Sequence, residues 1–348
     1  MAAEDVGNNV LDRKVEIISA DHQNKPDIGT SIARRWFDQE GVSAIADLPN
    51  SSVALAVQHL ARERGKITLL TGPATSQLMN EACSPTGFLW VLDTYSNTVG
   101  PARLLLEQGR KSWFLVVADY AYGHDMRADL TRAVTSLGGK IVGAAQHPTG
   151  AADFSSFLLQ AQASGAEVVG LLNAGSDMIT CVKQASEFGL TGQQKFFLPG
   201  AVISDVHALG LQQAQGLVLM TAFYWDRNDE SRAWSERFFQ RAKRMPGQIQ
   251  AGTYSAVLHY LRAIKAAGSV DGPAVAEKMR STRVNDIFVQ DGEIRPDGRV
   301  IRNFYIVEVK KPAESKRPWD YYKVIGELSG QSAMQPLSET RCPYLLKK

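Results

Sequence analysis

The stretch "WFLVVADYAYGHDMRADLTRAV", residues 113–134, decides the fold. Its first half is a continuous apolar run and reads as a buried strand. Its second half carries apolar residues at helical spacing and reads as an amphipathic helix. Between them stands Tyr-Ala-Tyr-Gly-His, too polar and too aromatic for a plain connector, with Tyr122 where a strand ends and a helix begins.

The same unit repeats in both directions. Upstream, KVEIISAD (14–21) reads as a strand. A helix follows over 27–41, with Ile28, Ile32, Ala33, Trp36 and Phe37 on one face and Asp27 as N-cap. VSAIADL (42–48) reads as a strand. SSVALAVQHLARERG (51–65) reads as a helix that turns Val53, Val57, Leu60 and Ala61 inward. ITLLTG (67–72), a short helix, FLWVLDT (88–94) and a helix over 97–109 complete the approach. Downstream, strands at 140–146, 167–174, 195–200 and 216–225 alternate with helices at 154–165, 176–189 and 204–211. Strands that are nearly continuous apolar runs belong to parallel sheets covered by helices on both faces. Two long helices follow, at about 230–245 and 250–268, and after them the rhythm breaks. IFVQDGEI (287–294), RNFYIVEVK (302–310) and YYKVIGEL (321–328) read as strands with hairpin-type turns. The fold class is therefore α/β, in two doubly wound Rossmann-like lobes between which the chain crosses more than once.

Composition narrows the function classes. The chain has 348 residues, 44% hydrophobic and 21% charged, with a net charge of +2. These values fit an ordinary globular protein of about two domains. Basic residues are scattered, so nothing asks for nucleic acid or an anionic membrane, and the run RAKR (241–244) reads as a solvated helix face. No apolar run approaches the ~18 residues of a membrane span, and no signal peptide is visible. Of the three cysteines, Cys181 lies on an apolar helical stripe with Met178, Val182, Ala185 and Phe188. Cys83 and Cys342 lie in loop-like settings and could pair in an oxidising compartment; their spacing suits no zinc site.

The chain carries no GxGxxG after a strand, no Walker loop, no HExxH, no CxxC and no GxSxG. Its six histidines have no metal-like spacing and read as surface or satisfied polar groups; only His124, beside Tyr122, falls near a functional cleft. Neither a cofactor nor a metal is implied, and enzyme chemistry is not signalled.

The strand ends are more informative, because ligands of open α/β sheets sit beyond the carboxyl ends of the strands. Pro49-Asn50-Ser51-Ser52 and Pro73-Ala74-Thr75-Ser76 each follow a strand and open a helix. Hydroxyls and backbone N–H groups at helix starts suit an anion, most simply a carboxylate; the same residues are also ordinary N-caps. Tyr95, Tyr122 and the run Phe223-Tyr224-Trp225 also stand at strand ends, where rings enclose an apolar ligand body.

With these residues in hand, the chain resembles the periplasmic substrate-binding proteins of branched-chain amino acid type ABC importers, the leucine/isoleucine/valine-binding kind. The resemblance runs through nearly the whole chain and is carried by "ADHQNKPDIGTSIARRWFD", "NSSVALAVQHLARE", "ACSPTGFLWVLDTYSNT", "VVADYAYGHDM", "DFSSFLLQAQASGAEVVGLLNAG" and "AQGLVLMTAFYWDRND". It implies a type I periplasmic binding protein: two lobes joined by a three-crossover hinge, closing on a ligand. Residues 1–98 and 227–303 would form the first lobe, 99–226 and 304–348 the second. By position, Ser51 and Ser52 fall on the loop that receives the ligand carboxylate, and Gly72, Ala74 and Thr75 on the second carboxylate loop. Tyr122 matches the tyrosine that reaches the ligand from the second lobe. Asn173 and Ala174, within 173–177, and Ala201 match two further second-lobe loops. Tyr95 and Tyr224 are expected to enclose the ligand body.

Two departures shape the expectation. Amino acid binders of the family carry an acid near the position of Ala201 to hold an ammonium; here the stretch is LPGAV (198–202). Burying an unpaired ammonium is costly, so the expected ligand is an aromatic or apolar-bodied acid rather than a branched-chain amino acid, with Asp177 or Asp205 as candidate substitutes for the missing acid. Second, residues 1–5 resemble the end of the family's first helix, so the family's signal peptide and first strand are expected to be missing from the chain as given, which would expose two strand edges. The resemblance implies a periplasmic, non-enzymatic, monomeric receptor that passes its ligand to an inner-membrane permease. In that compartment Cys83 and Cys342 are expected to form a disulfide. The rival expectations are a ligand-sensing regulator of the amide-sensor type, an enzyme on the same scaffold, and an inactive truncated remnant.

Overall fold

The opening run forms the strand Ser112–Ala118, buried from Trp113 onward, in a computed structural model that describes residues 1–346. It lies within a seven-stranded sheet of order Tyr322–Leu328, Phe304–Val309, Val218–Thr221, Lys195–Phe197, Val168–Leu172, Ser112–Ala118, Lys140–His147. The last five in that order are mutually parallel, and the first two add antiparallel ladders. Strand order reverses at Ser112–Ala118: the next strand, Lys140–His147, lies on one side and the following ones on the other. Such a reversal opens a crevice at the carboxyl ends of the two flanking strands.

This sheet belongs to one of two units into which the chain divides, residues 94–247 with 303–333. The other unit comprises residues 1–93, 248–302 and 334–348, so the chain passes between units at four places. The expected boundaries differ at residues 94–98 and 303, which fall in the second unit, and in two longer segments. The helix Asp229–Ala242 falls in the second unit, where Trp234 packs edge-on against Phe223 at 5.8 Å. Residues 334–348 return to the first unit, where the Cys83–Cys342 disulfide ties them down, with Cα atoms 5.6 Å apart.

The first unit has a short parallel sheet of order Ala44–Asp47, Ile67–Leu70, Gly87–Leu89. It is extended by backbone bonds between Leu89 and the segment at 298–300. The helix Ser51–Glu63 lays Val53, Val57, Leu60 and Ala61 onto this sheet. Each large apolar side chain buried in this way contributes ~1.5–3 kcal/mol.

Three local expectations fail, each for a physical reason. Residues 14–21 do not form a strand of the sheet. Only Arg13–Lys14 pairs, in a two-stranded hairpin with Asn9–Val10, while Ile17 is 75% exposed. A strand needs a neighbour to receive its backbone groups, and the sheet's outer strand, Ala44–Asp47, pairs only with Ile67–Leu70. Residues 287–294 are likewise not a strand. Asp286 Oδ1 accepts from the backbone N–H groups of Phe288 and Val289 at 2.8 and 3.1 Å, a local turn that competes with a ladder. Finally, Asp27 is not an N-cap: Pro26 takes the first helical position and Lys25 precedes it, the place where a missing N–H costs nothing.

Candidate functional site

The sequence-selected residues gather into two clusters, one in each unit. In the first unit, Asn50 caps the helix Ser51–Glu63 by accepting from Ser52 N and Val53 N at 3.0 and 3.1 Å. This cap absorbs backbone donors that the sequence reading aimed at an anion. Ser51, one residue further, is 1% exposed, and its Oγ accepts from both Ala74 N and Thr75 N at 3.3 Å. The carboxyl ends of two adjacent parallel strands are thereby brought onto one hydroxyl. With both acceptor sites of Oγ used, the Ser51 O–H proton remains as a donor with no protein acceptor among the described residues. Thr75 accepts from Gln77 N at 3.3 Å, opening the 3₁₀ turn Ser76–Met79. Ser52 is half-buried.

Gly72 is required where it stands. A Cβ there would lie 2.5 Å from Asp47 Oδ1 and 2.7 Å from Pro49 Cα, a clash that backbone cannot relieve. Burial pushes the Asp47 carboxyl up, against the hydrogen bond from Thr71. Asp47 and Leu48 both adopt positive φ, 77° and 59°, so the turn after this strand is held in a conformation disfavoured for side-chain-bearing residues.

In the second unit, the residues lie at the reversal of strand order. Tyr122 follows Ser112–Ala118 on the first turn of the helix Ala121–Ser136, and Asn173 and Ala174 follow Val168–Leu172. Gly200 follows Lys195–Phe197 and joins them. A Cβ on Gly200 would meet the Tyr122 hydroxyl at 2.4 Å, the Asn173 carbonyl oxygen at 2.6 Å and the Ala174 Cβ at 3.4 Å. Three loops therefore converge on one glycine. Tyr122 is 6% exposed, and burial, then Tyr120 and Asp205, hold its hydroxyl well above the usual phenol range. Tyr120 stands 5.8 Å from it, ring to ring, with its hydroxyl pushed up to about 12 by burial and by Asp177.

Asn173 is fully buried. Its Nδ2 meets His147 Nε2 at 3.1 Å, while its Oδ1 has no hydrogen-bond partner. His147 was expected only as a satisfied polar group; its neighbour gives it a further significance. The other histidine singled out, His124, is exposed and pairs with Asp119 at 2.9 Å.

Ala201 is buried, and no acid replaces it at its own position. Asp205, four residues on, is buried, and its Oδ2 accepts from Val202 N at 2.9 Å. Burial raises its carboxyl to about 6. It lies close enough to the buried hydroxyls of Tyr122 and Tyr322 to perturb both. Asp177 turns both oxygens to Gly150 N, at 3.1 and 3.0 Å. Tyr224 is an aromatic wall with its hydroxyl already spent: it donates to Asp320 at 3.3 Å and its ring lies 5.2 Å from Tyr322. Tyr95 falls in this unit, half-buried on the first turn of the helix Thr94–Glu107. Tyr322 and His147 escaped the sequence reading because each sits inside or at the end of a strand, where apolar packing is the usual role.

Among the described residues no His, Cys, Asp and Glu cluster suits a metal, and no helix is long and apolar enough to cross a membrane.

The comparisons agree with this architecture. Residues 1–316 match the family described as periplasmic binding protein, and the chain belongs to that family. It is similar to a crystal structure of a periplasmic binding protein from Burkholderia mallei: 42% identity, TM-score 0.96, 98% of this chain and 91% of that one covered. A branched-chain amino acid ABC transporter periplasmic ligand-binding protein from Burkholderia xenovorans LB400 is 40% identical, with TM-score 0.87 and coverage of 98% and 92%. The Leu/Ile/Val-binding protein homolog 6 of Brucella melitensis is 26% identical over 88% of this chain and 80% of its own length. Two ABC transporter solute-binding proteins of Rhodopseudomonas palustris share the fold at TM-score 0.86 each. One, 21% identical, was solved with 3,4-dihydroxybenzoic acid over 97% of this chain and 92% of its own; the other, 17% identical, with benzoate over 98% and 92%.

Proposed function

From this family membership, we propose that the chain is the solute receptor of an ABC importer and binds a small carboxylate with an aromatic or apolar body. The observation that carries the reading is the Ser51 hydroxyl, buried, braced by Ala74 N and Thr75 N, and left with one uncommitted donor. A carboxylate oxygen is the acceptor best matched to it, because charge-assisted bonds are about twice as strong as neutral ones. Ser52, Gly72, Ala74 and Thr75 complete the anion-binding half. Tyr95, Tyr122, Asn173, Ala174, Ala201 and Tyr224 contact the ligand body. The chain acts without chemistry of its own, as a periplasmic monomer that hands its ligand to an inner-membrane permease. The relatives solved with benzoate-type acids support an aromatic body.

The test is a thermal-shift titration of the purified chain with benzoate, 4-methylpentanoate, leucine and benzamide. A ligand that binds only the folded state raises the melting temperature by mass action. Benzoate should raise it and benzamide, isosteric but uncharged, should not; Ser51→Ala should abolish the benzoate shift. Equal shifts with benzamide would remove the carboxylate from the reading. A shift with leucine and none with benzoate would overturn the preference for an acid without an ammonium.

A further inference from the structure

The Asn173 side chain is oriented by a chain of hydrogen bonds that can be followed atom by atom. His147 is 1% exposed, and its Nδ1 lies 2.9 Å from the carbonyl oxygen of Pro148. A carbonyl can only accept, so the proton of a neutral imidazole sits on Nδ1. Nε2 is then an acceptor, and the Asn173 amide nitrogen, 3.1 Å away, donates to it. Turning the amide over would set two acceptors against each other. The imidazole cannot swing aside, since Phe154 packs edge-on against it at 4.8 Å and Phe157 lies at 5.9 Å. Asn173 Oδ1 is consequently fixed as a buried acceptor with no donor. Leaving such an atom without a donor is costly, and a partner would recover that cost. It stands at the strand-order reversal, on the residue whose carbonyl crowds Gly200 together with the Tyr122 hydroxyl.

We propose that Asn173 Oδ1, aimed by His147, is a specificity-determining acceptor that reads a hydrogen-bond donor, a hydroxyl or an N–H, carried by the ligand. The inference rests on the receptor reading above and narrows it. His147 is a positioning residue: it touches no ligand and acts by deciding which face of the amide is presented.

The experiment is calorimetric titration with matched pairs that differ only in the donor: benzoate against 2-, 3- and 4-hydroxybenzoate, and 4-methylpentanoate against leucine. In the wild-type chain at least one donor-bearing member should bind about tenfold or more tighter than its partner. The pair that shows the preference tells hydroxyl from ammonium. Asn173→Leu should reduce the preference to near unity while leaving the affinity for the donor-free acid in place. His147→Phe, which keeps the packing on Phe154, should reduce it as well, because the amide is then free to turn. A merely structural role for either residue would lower both members of a pair together and keep their ratio. The wild-type ratios need no variant to fold: if the donor-free acids bind as tightly as every donor-bearing partner, Oδ1 is served by a buried water and the proposal fails. A preference that survives Asn173→Leu overturns it too. If no acid of either kind binds, the receptor reading fails first and takes this inference with it.

Discussion

In the first unit the candidate residues leave a donor open; in the second they leave an acceptor open. Ser51 spends its acceptor capacity on Ala74 and Thr75, whereas Asn173 spends its donor on His147. The contrast extends beyond the clusters. Six buried side-chain atoms without a partner, on Asn97, Asn173, Gln194, Gln213, Ser235 and Tyr322, lie in the second unit. The first unit, with its three-stranded sheet, is closed instead by a disulfide and a buried ion network. Arg299, 1% exposed, reaches Asp93 at 2.7 Å and Asp297 at 2.6 Å. Its Nη2 also reaches Gln335, itself bonded to Asn80. A short sheet supplies few ladder bonds, so its unit depends on staples.

That contrast can be broken at its strongest point first. The disulfide closes a sequence separation of 259 residues, for which the chain-entropy estimate is about 5 kcal/mol. Cys342→Ser should therefore lower the guanidinium midpoint of the first unit by more than any other single change discussed here; an unchanged midpoint would show that the returning tail staples nothing. Arg299→Met comes next. It takes the guanidinium away from Asp93 and leaves Asp297 with Arg295, and should cost about 3–5 kcal/mol in thermal unfolding. Adding Asp93→Asn should recover part of that loss, which separates a charge effect from a packing effect.

In the second unit the expected effects are smaller, and the first of them depends on pH. Burial raises the Asp205 carboxyl from 3.8 to about 6, so the folded state binds the proton more tightly than the unfolded state. The stability this confers is full below pH ~4 and is lost as the pH rises through about 6, a change of about 3 kcal/mol at most. Melting temperatures recorded between pH 4 and 7 should show this fall in the wild type and not in Asp205→Asn; parallel profiles would remove Asp205 as the cause. Gly200→Ala sharpens the comparison last. Its new methyl has backbone on one side and the Tyr122 hydroxyl on the other, and overpacking of this kind costs about 1–3 kcal/mol. A variant as stable as the wild type, with Tyr122 unmoved in its crystal structure, would contradict the convergence described for these three loops.

Much of this was legible in the sequence. The alternation of apolar runs and amphipathic stretches located the strands of the second unit, because parallel strands are buried on both faces and announce themselves as continuous apolar segments. The hydroxyl-rich helix starts led directly to Ser51 and Thr75. What the sequence hid was pairing. Ile17 and Ile18 look like a strand interior, yet a strand exists only if a neighbour accepts its backbone groups, and no local pattern records whether one is present. The same limit applied to Asn173. Its position at a strand end was visible, but the partner that fixes its amide, His147, lies 26 residues away on the far side of the strand-order reversal. The cap formed by Asn50 was overlooked for the opposite reason: its effect is entirely local, and the reading looked past it to Ser52.

The path of the backbone has a consequence for biosynthesis. The first unit is assembled from residues 1–93, 248–302 and 334–348, so it is begun first and cannot be finished until Cys342 has been made. The second unit draws on no residue beyond 333. The Cys83–Cys342 bond therefore joins the earliest and the latest of the three segments that make up the first unit.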